Sequence, residues 1–388
     1  MTTSFSLRLY LLIFCTIAFK NLSVSQTFYG TNSFTEYRQG TLPILLTAPH
    51  GGTMVPLSIP NRTCNGSVTA PDMYTEELAC EIDSSLFDLT GCHAHLVLCH
   101  LARIKVDVNR PVSIASCGNT LATIVFNEFH KFIDTAQFKM KQQHNYGFYA
   151  DIHGHSHSIQ RLELGYGLDT TQLALSPSSL NTPANVNSSS IRNLVNTNFN
   201  SYTLSDLLSG PFALGTLLAS SGYSAVPSAQ DPYPLGGQPY FTGGYNIQVH
   251  SSMVASNIID AVQIETQYNG VRDNPISRKK FADTLAKKLL YFLNLHYNQP
   301  TPNCIVTTLK ENENETHPLF FFDNTNKTLN IRFQTEGEHT IFIYGTSGDF
   351  WKKFTFKERN EELKLHDLSP GIYFIKGSGS LSGKFIIQ

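Results

Sequence analysis

Two short turns carry the residue types best suited to chemistry. Pro49, His50, Gly51 and Gly52 close one apolar run, and Asp151, Ile152, His153, Gly154 and His155 close another. Imidazole at the end of a rigid strand presents a fixed nitrogen, and neighbouring glycines let a metal and a substrate approach the backbone. Open catalytic zinc sites use two histidines and one carboxylate and keep a position for water. His50 and His153 are therefore candidate ligands, with His155 and His157 in the same loop as alternatives for the second. Asp72 or Glu76, at the start of the next helix, suits the third place. Taken singly, each histidine reads better as a hydrogen-bonded structural residue; it is the two turns together, both at strand ends, that favour ligands.

Arg103 to Arg110 is the other unusual run. Asn109 and Arg110 at its end could hold a substrate carboxylate, the guanidinium through two parallel bonds and the amide through a further donor. Pairing of that arginine with Asp107 or Asp151 is the structural alternative. Glu265 follows an apolar strand, so burial should raise its pKa toward the range a general base for metal-bound water needs.

Those residues need elements to position them. Residues 42–48, 96–98, 104–108, 147–152 and 258–264 have the apolar, β-branched character of strands, and 73–89, 123–138 and 278–297 repeat apolar residues at helical spacing. Alternation of this kind predicts an α/β fold with a mostly parallel sheet flanked by helices, in which sites form beyond the carboxyl ends of the strands. His50, Asn109, Arg110, His153 and Glu265 all fall at or just past predicted strand ends. The Asn- and Ser-rich stretch 181–202 reads as a surface insertion.

The 388 residues are 41% hydrophobic and 15% charged, with a net charge of −2, which supports a sizeable core and gives no basic face for nucleic acid. Arg8 followed by the apolar run 9–19 and small residues at Ser23 and Ser25 has the form of a signal peptide over 1–25. No later segment has the length of a membrane span, so the mature chain is expected to be secreted. Removing Cys15 leaves Cys64, Cys80, Cys92, Cys99, Cys117 and Cys304, an even set that predicts disulfides without giving their pairing. Glycosylation sequons stand at Asn61, Asn65, Asn187, Asn314 and Asn326.

After residue 298 the character changes. A Pro-, Asn- and Glu-rich linker over 299–317 leads into short aromatic and β-branched runs that predict a small β-sandwich over 318–388. Its last stretch, 368–376 with 384–388, resembles the C-terminal sorting domains that some bacteria attach to secreted enzymes. An accessory or adhesion sandwich fits the same residues.

Taken in order, Pro49 to Gly52, Asp72 with Leu78 and Ala79, Arg103 to Arg110, Asp151 to His155, Gly243 to Tyr245, and Gln263 to Glu265 resemble the N-formylglutamate amidohydrolase family over about residues 42–295. The resemblance implies a zinc carboxypeptidase-related fold in domain 26–298. It also implies a Zn(2+)-activated water attacking an amide of a small molecule or peptide end that has a free carboxylate. Carried over, His50, Asp72 and His153 hold the metal and Glu265 is the base. Asn109 and Arg110, with Arg272, bind substrate, and Arg103 or Arg272 assists the developing oxyanion. One departure is that Thr53 stands where carboxypeptidases keep a carboxylate ligand three residues after the first histidine. A carboxypeptidase-like peptidase and a non-catalytic binding protein on the same fold are the rival expectations.

Overall fold

The computed structural model describes residues 26–299, residues 302 and 304, and residues 319–323, 326–333, 337–345, 350–358, 360–377 and 382–387. The expected signal peptide and most of the expected linker lie outside the described residues. The chain divides into two compact units at 306/307.

The first unit is built on one sheet of β1 (Thr27–Tyr29), β2 (Thr35–Arg38), β3 (Ile44–Ala48), β4 (His95–Cys99), β5 (Gly147–Gly154), β6 (Leu162–Gly165), β7 (Ala225–Val226) and β8 (Ile259–Thr266). Their order is β1-β2-β4-β3-β5-β8-β6-β7. The central run β4-β3-β5-β8 is parallel. The β6–β7 pair is also parallel and the β1–β2, β2–β4 and β6–β8 pairs are antiparallel, so the sheet is mixed, with four of its seven pairs parallel. The antiparallel pairs are made by the short strands β1, β2 and β6, none of which the predicted strand runs include.

The central strands are buried on both faces, as near-continuous apolar sequence demands. Ile44, Leu46, Leu96, Leu98, Phe148, Ile152, Val262 and Ile264 point to one face. There they meet α1 (Thr75–Thr90) through Leu78, Ile82 and Leu86, and α3 (Pro275–Tyr297) through Phe281, Leu285, Leu289 and Phe292. Leu45, Val97, Tyr149 and Ala261 point to the other face, against α2 (Thr120–His144) with Val125, Phe129, Ile133 and Met140. Gly91 ends α1 in the left-handed conformation with its N–H on the Phe87 carbonyl, the cap its place in the sequence implies. A set of short helices over 170–219 adds Leu194, Leu204, Leu207, Leu214 and Leu218 to the first core, so this insertion is a packed layer and not a loose loop.

Residues 104–108 form no strand; they are turns and irregular backbone. Asn109 and Arg110 therefore sit in a loop and not at a strand end. Strands β5 and β8 run two residues further than their apolar composition implies, which puts His153 and Glu265 inside the sheet.

Four of the six cysteines pair, as Cys64–Cys117 and Cys92–Cys304. Cys80 and Cys99 are free thiols, against the expectation from an even count. Cys99 is buried in β4 against the α2 core, where it acts as a small apolar residue. Asn61, Asn65, Asn187 and Asn326 are exposed, while Asn314 lies outside the described residues. Among the described residues no helix is long and apolar enough to cross a membrane.

The second unit contains a three-stranded and a four-stranded antiparallel sheet. Leu329, Ile331 and Leu363 of one share an apolar cluster with Ile341, Ile343, Ile375 and Phe385 of the other, as expected of a small sandwich.

Candidate metal centre

Alternation along the strands selects which side chains meet. Tyr149, Asp151 and His153 are successive residues on one face of β5, and Ala261, Gln263 and Glu265 stand beside them in register on β8. Thr47 of β3 is the register partner of Asp151. The apolar face thus becomes a polar patch at the carboxyl ends of the parallel strands.

His50 reaches this patch from the turn after β3. Asp72 comes from the segment before α1, where its N–H is bonded to the His50 carbonyl. The carboxylate of Asp72 bridges the two rings: its Oδ2 is 3.2 Å from His50 Nδ1 and 3.0 Å from His153 Nδ1. Each ring has its other nitrogen on a fully buried carboxylate. His50 Nε2 is 2.7 Å from Asp107 Oδ1, and His153 Nε2 is 3.0 Å from Asp151 Oδ2. These outer carboxylates are anchored in turn, Asp107 by Arg103 Nε at 2.9 Å and Asp151 by the Thr47 hydroxyl and Asn246 Nδ2.

The arrangement fits a metal cation. When Asp107 and Asp151 take the Nε2 hydrogens, both Nδ1 lone pairs face Asp72 Oδ2, and three electron-rich atoms converge within 4.8 Å. Such a cluster needs positive charge at its centre. Ligands about 2.0–2.1 Å from a tetrahedral metal stand about 3.3 Å apart, close to the 3.2 and 3.0 Å that separate Asp72 Oδ2 from the two rings. A carboxylate behind each ligating imidazole is the usual way of fixing tautomer and orientation. His153 is buried, which opposes its charging, yet the negative charges of Asp151, Asp72 and Glu265 raise its pKa well above the ordinary value. Asp72 shows the complement: burial pushes it up, but the two histidines hold it well below the carboxylate range.

Glu265 stands beside the cluster, with Oε1 3.9 Å from His153 Nδ1. Burial, reinforced by the charges of Asp72 and Glu163, pushes its pKa to about 8 against the pull of His153. Gln263 Nε2 donates to Glu265 Oε1 at 2.8 Å, whereas the buried Oε2 has no partner among the described residues. A fixed carboxyl with one free oxygen and a raised pKa is suited to exchanging protons.

The remaining candidates divide by how committed they are. Glu76 turns away to His100 at 2.8 Å, and of the two carboxylates left open by the sequence only Asp72 joins the histidines. Asn109 is in the cavity wall, but its amide holds neighbours: Oδ1 accepts from Asn246 N–H at 2.8 Å, and Nδ2 lies 3.2 Å from His153 Nε2 and 3.4 Å from Gln263 Oε1. Gly244 lets this happen, since a Cβ there would lie 2.3 Å from Asn109 Nδ2. Arg272 binds the main-chain carbonyls of Met73, His155 and Thr266, and the bare Gly154 makes room for its guanidinium. Arg103 spans Asp107 and Asp72, and Arg62 lies 3.6 Å from Asp107, so these arginines and not Arg110 pair with it. Among the described residues the Arg110 side chain has one hydrogen bond, to the Asn109 carbonyl at 3.1 Å, and is the least committed cation of the wall.

Every candidate named from the sequence except Glu76 borders one cavity of about 600 Å³, together with Tyr240, Phe241 and Tyr268. Four further residues complete the site. Asp107 and Asp151 lie in the Arg103–Arg110 run and beside His153, where motif reading sees them only as neighbours. Gln263 and Glu163 are polar residues within apolar strands, a pattern that itself signals an inward-facing site.

No family model matches the chain, and no curated protein matches it. Among solved structures it is similar to N-formylglutamate amidohydrolase from Ralstonia eutropha JMP134, with TM-score 0.40 and 12% identity over 66% of this chain and 94% of that one. It is also similar to succinylglutamate desuccinylase from Chromobacterium violaceum, with TM-score 0.31 and 10% identity over 72% of each chain. Likeness at this level sets no activity for this chain.

Proposed function

We propose that residues 26–298, within the first unit, form a secreted zinc-dependent amidohydrolase that cleaves an amide bond of a small N-acyl amino acid or a peptide end. The observation that carries the reading is the convergence of His50 Nδ1, His153 Nδ1 and Asp72 Oδ2, each histidine backed by its own buried carboxylate. Two disulfides accord with an oxidising compartment. The unit at 318–388 is an accessory domain on this reading.

His50, Asp72 and His153 would hold the ion, which supplies Lewis acidity to the scissile carbonyl and lowers the pKa of water. Glu265 takes a proton from the attacking water on its free Oε2 and returns it to the leaving amine. Its raised pKa suits both halves of that exchange, since neither protonation state is far from neutral pH. Arg110, with most of its donors uncommitted, receives the substrate carboxylate. Arg103 lies next to Asp72 and supplies positive charge where the carbonyl oxygen becomes an oxyanion. Asn109 and Arg272 keep these groups in place.

The carboxypeptidase-like alternative is favoured by one observation: a cavity of about 600 Å³ exceeds what a formyl amino acid fills. Assay of the zinc-loaded chain on N-acyl amino acids and short peptides tests the proposal. Glu265→Gln is expected to keep the metal and lose turnover by about 10²–10⁴-fold. Equal turnover by the variant and the parent would remove Glu265 from the mechanism.

A further inference from the structure

His155, His157 and Glu163 form a second group with the composition of a metal site, at the edge of the same cavity. Their hydrogen bonds point to a different use. His155 Nε2 donates to the Arg161 carbonyl at 2.8 Å, and its Nδ1 accepts the His157 main-chain N–H at 3.1 Å. Both of its nitrogens are spent, so it has no lone pair left for an ion.

The His157 ring is fixed on every side but one. Phe241 stacks on it at 4.7 Å with planes 14° apart, and His155 lies at 5.0 Å, tilted by 36°. Nδ1 is 2.8 Å from Glu163 Oε1. Glu163 is fully buried, and its Oε2 accepts the Phe241 N–H at 2.9 Å. A buried carboxylate is costly unless its oxygens are used, and here both serve to hold one imidazole and the residue stacked on it. Glu163 is also the register partner of Glu265, which puts this wall on the strand next to the proton-exchanging carboxyl. Nε2 has no partner among the described residues, and the side chain is 23% exposed.

We propose, resting on the hydrolase reading, that His157 is a specificity-determining residue whose Nε2 accepts a hydrogen bond from an N–H in the acyl portion of the substrate. With Nδ1–H on Glu163, Nε2 is the ring nitrogen left to accept. Formyl and acetyl groups have no N–H to give it, whereas an aminoacyl group does. The preferred substrates are therefore short peptides with a free carboxylate, and the size of the cavity agrees.

The test compares matched substrates, N-acetyl and N-glycyl derivatives of one amino acid, on the zinc-loaded full chain and on His157→Gln, which keeps a donor for Glu163. The parent is expected to favour the glycyl compound. The variant is expected to raise its KM about 3–10-fold, the loss of one neutral hydrogen bond, with kcat and the acetyl substrate little changed. A second readout needs no variant: diethylpyrocarbonate should modify His157 and spare His155, and a bound glycyl amino acid should protect His157. Active enzyme whose KM for both series is indifferent to His157→Gln, or labelling that bound ligand does not protect, overturns this inference alone. Parent protein that neither binds nor hydrolyses either series overturns the hydrolase reading and this inference together.

Discussion

At the residue scale, the decisive contacts are those behind the ligands. Asp107 and Asp151 accept from the far nitrogens of His50 and His153, so each aims an Nδ1 lone pair at Asp72. Asp107→Asn or Asp151→Asn should leave the ligand set intact yet weaken zinc affinity about 10–100-fold, read by competition with a chromophoric chelator. Unchanged affinity would mean that the rings are oriented by packing alone. The histidines themselves were legible because glycines and apolar runs flank them. Their partners were not, since nothing in a linear pattern tells that Asp107 faces His50 across 57 positions or that Asp72, and not Glu76, turns inward. That choice depends on Glu76 finding His100, a contact made only once α1 packs beside β4.

At the scale of elements, His100 ties three of them together. It follows β4 and bonds Glu36 of β2 at 3.1 Å and Glu76 of α1 at 2.8 Å. Hydrogen bonds to these two carboxylates raise its pKa from 6.5 to about 9 against the effect of burial. Burial pushes Glu36 up, but His100 and Arg38 outweigh it and lower its pKa from 4.5 to about 2. A raised histidine contributes its full stability below the unfolded value and loses it as the pH climbs through about 9. A lowered carboxylate contributes above its unfolded value and loses stability as the pH falls through about 2. The contact is therefore strongest between about pH 4.5 and 6.5. His100→Gln should cost about 2 kcal/mol in urea unfolding at pH 6 and much less at pH 10. An equal loss at both pH values would show that packing, and not charge, carries the contact. The helices and central strands were readable to within a few residues because their apolar periods are regular, as in Leu78, Ile82 and Leu86. Residues 104–108 misled because alternating apolar residues there pack inward from turns, Val106 and Val108 filling the α2 side of the core without a strand.

At the scale of the whole molecule, the Cys92–Cys304 bridge spans 212 positions and ties the segment after α3 back to the strand-entry side of β4. Closing so long a loop restricts the unfolded chain strongly. Cys92→Ser with Cys304→Ser should lower Tm by about 5–10 °C in calorimetry, and an unchanged Tm would assign the stability of this end to packing alone. Composition could foretell disulfides but not that Cys80 and Cys99 stay free, because pairing depends on which side chains the fold brings within reach. The two-part organisation showed in the sequence as a change from α/β alternation to short β runs.

The central claim is that His50, Asp72 and His153 hold a metal ion, and elemental analysis of the purified mature chain tests it most directly. Zinc near one equivalent is expected in protein prepared without chelator, with nearly complete loss in a His50→Ala, His153→Ala double variant that still melts cooperatively. Metal-free parent protein that takes up no zinc on dialysis, or a double variant that retains a full equivalent, would contradict the assignment of this site.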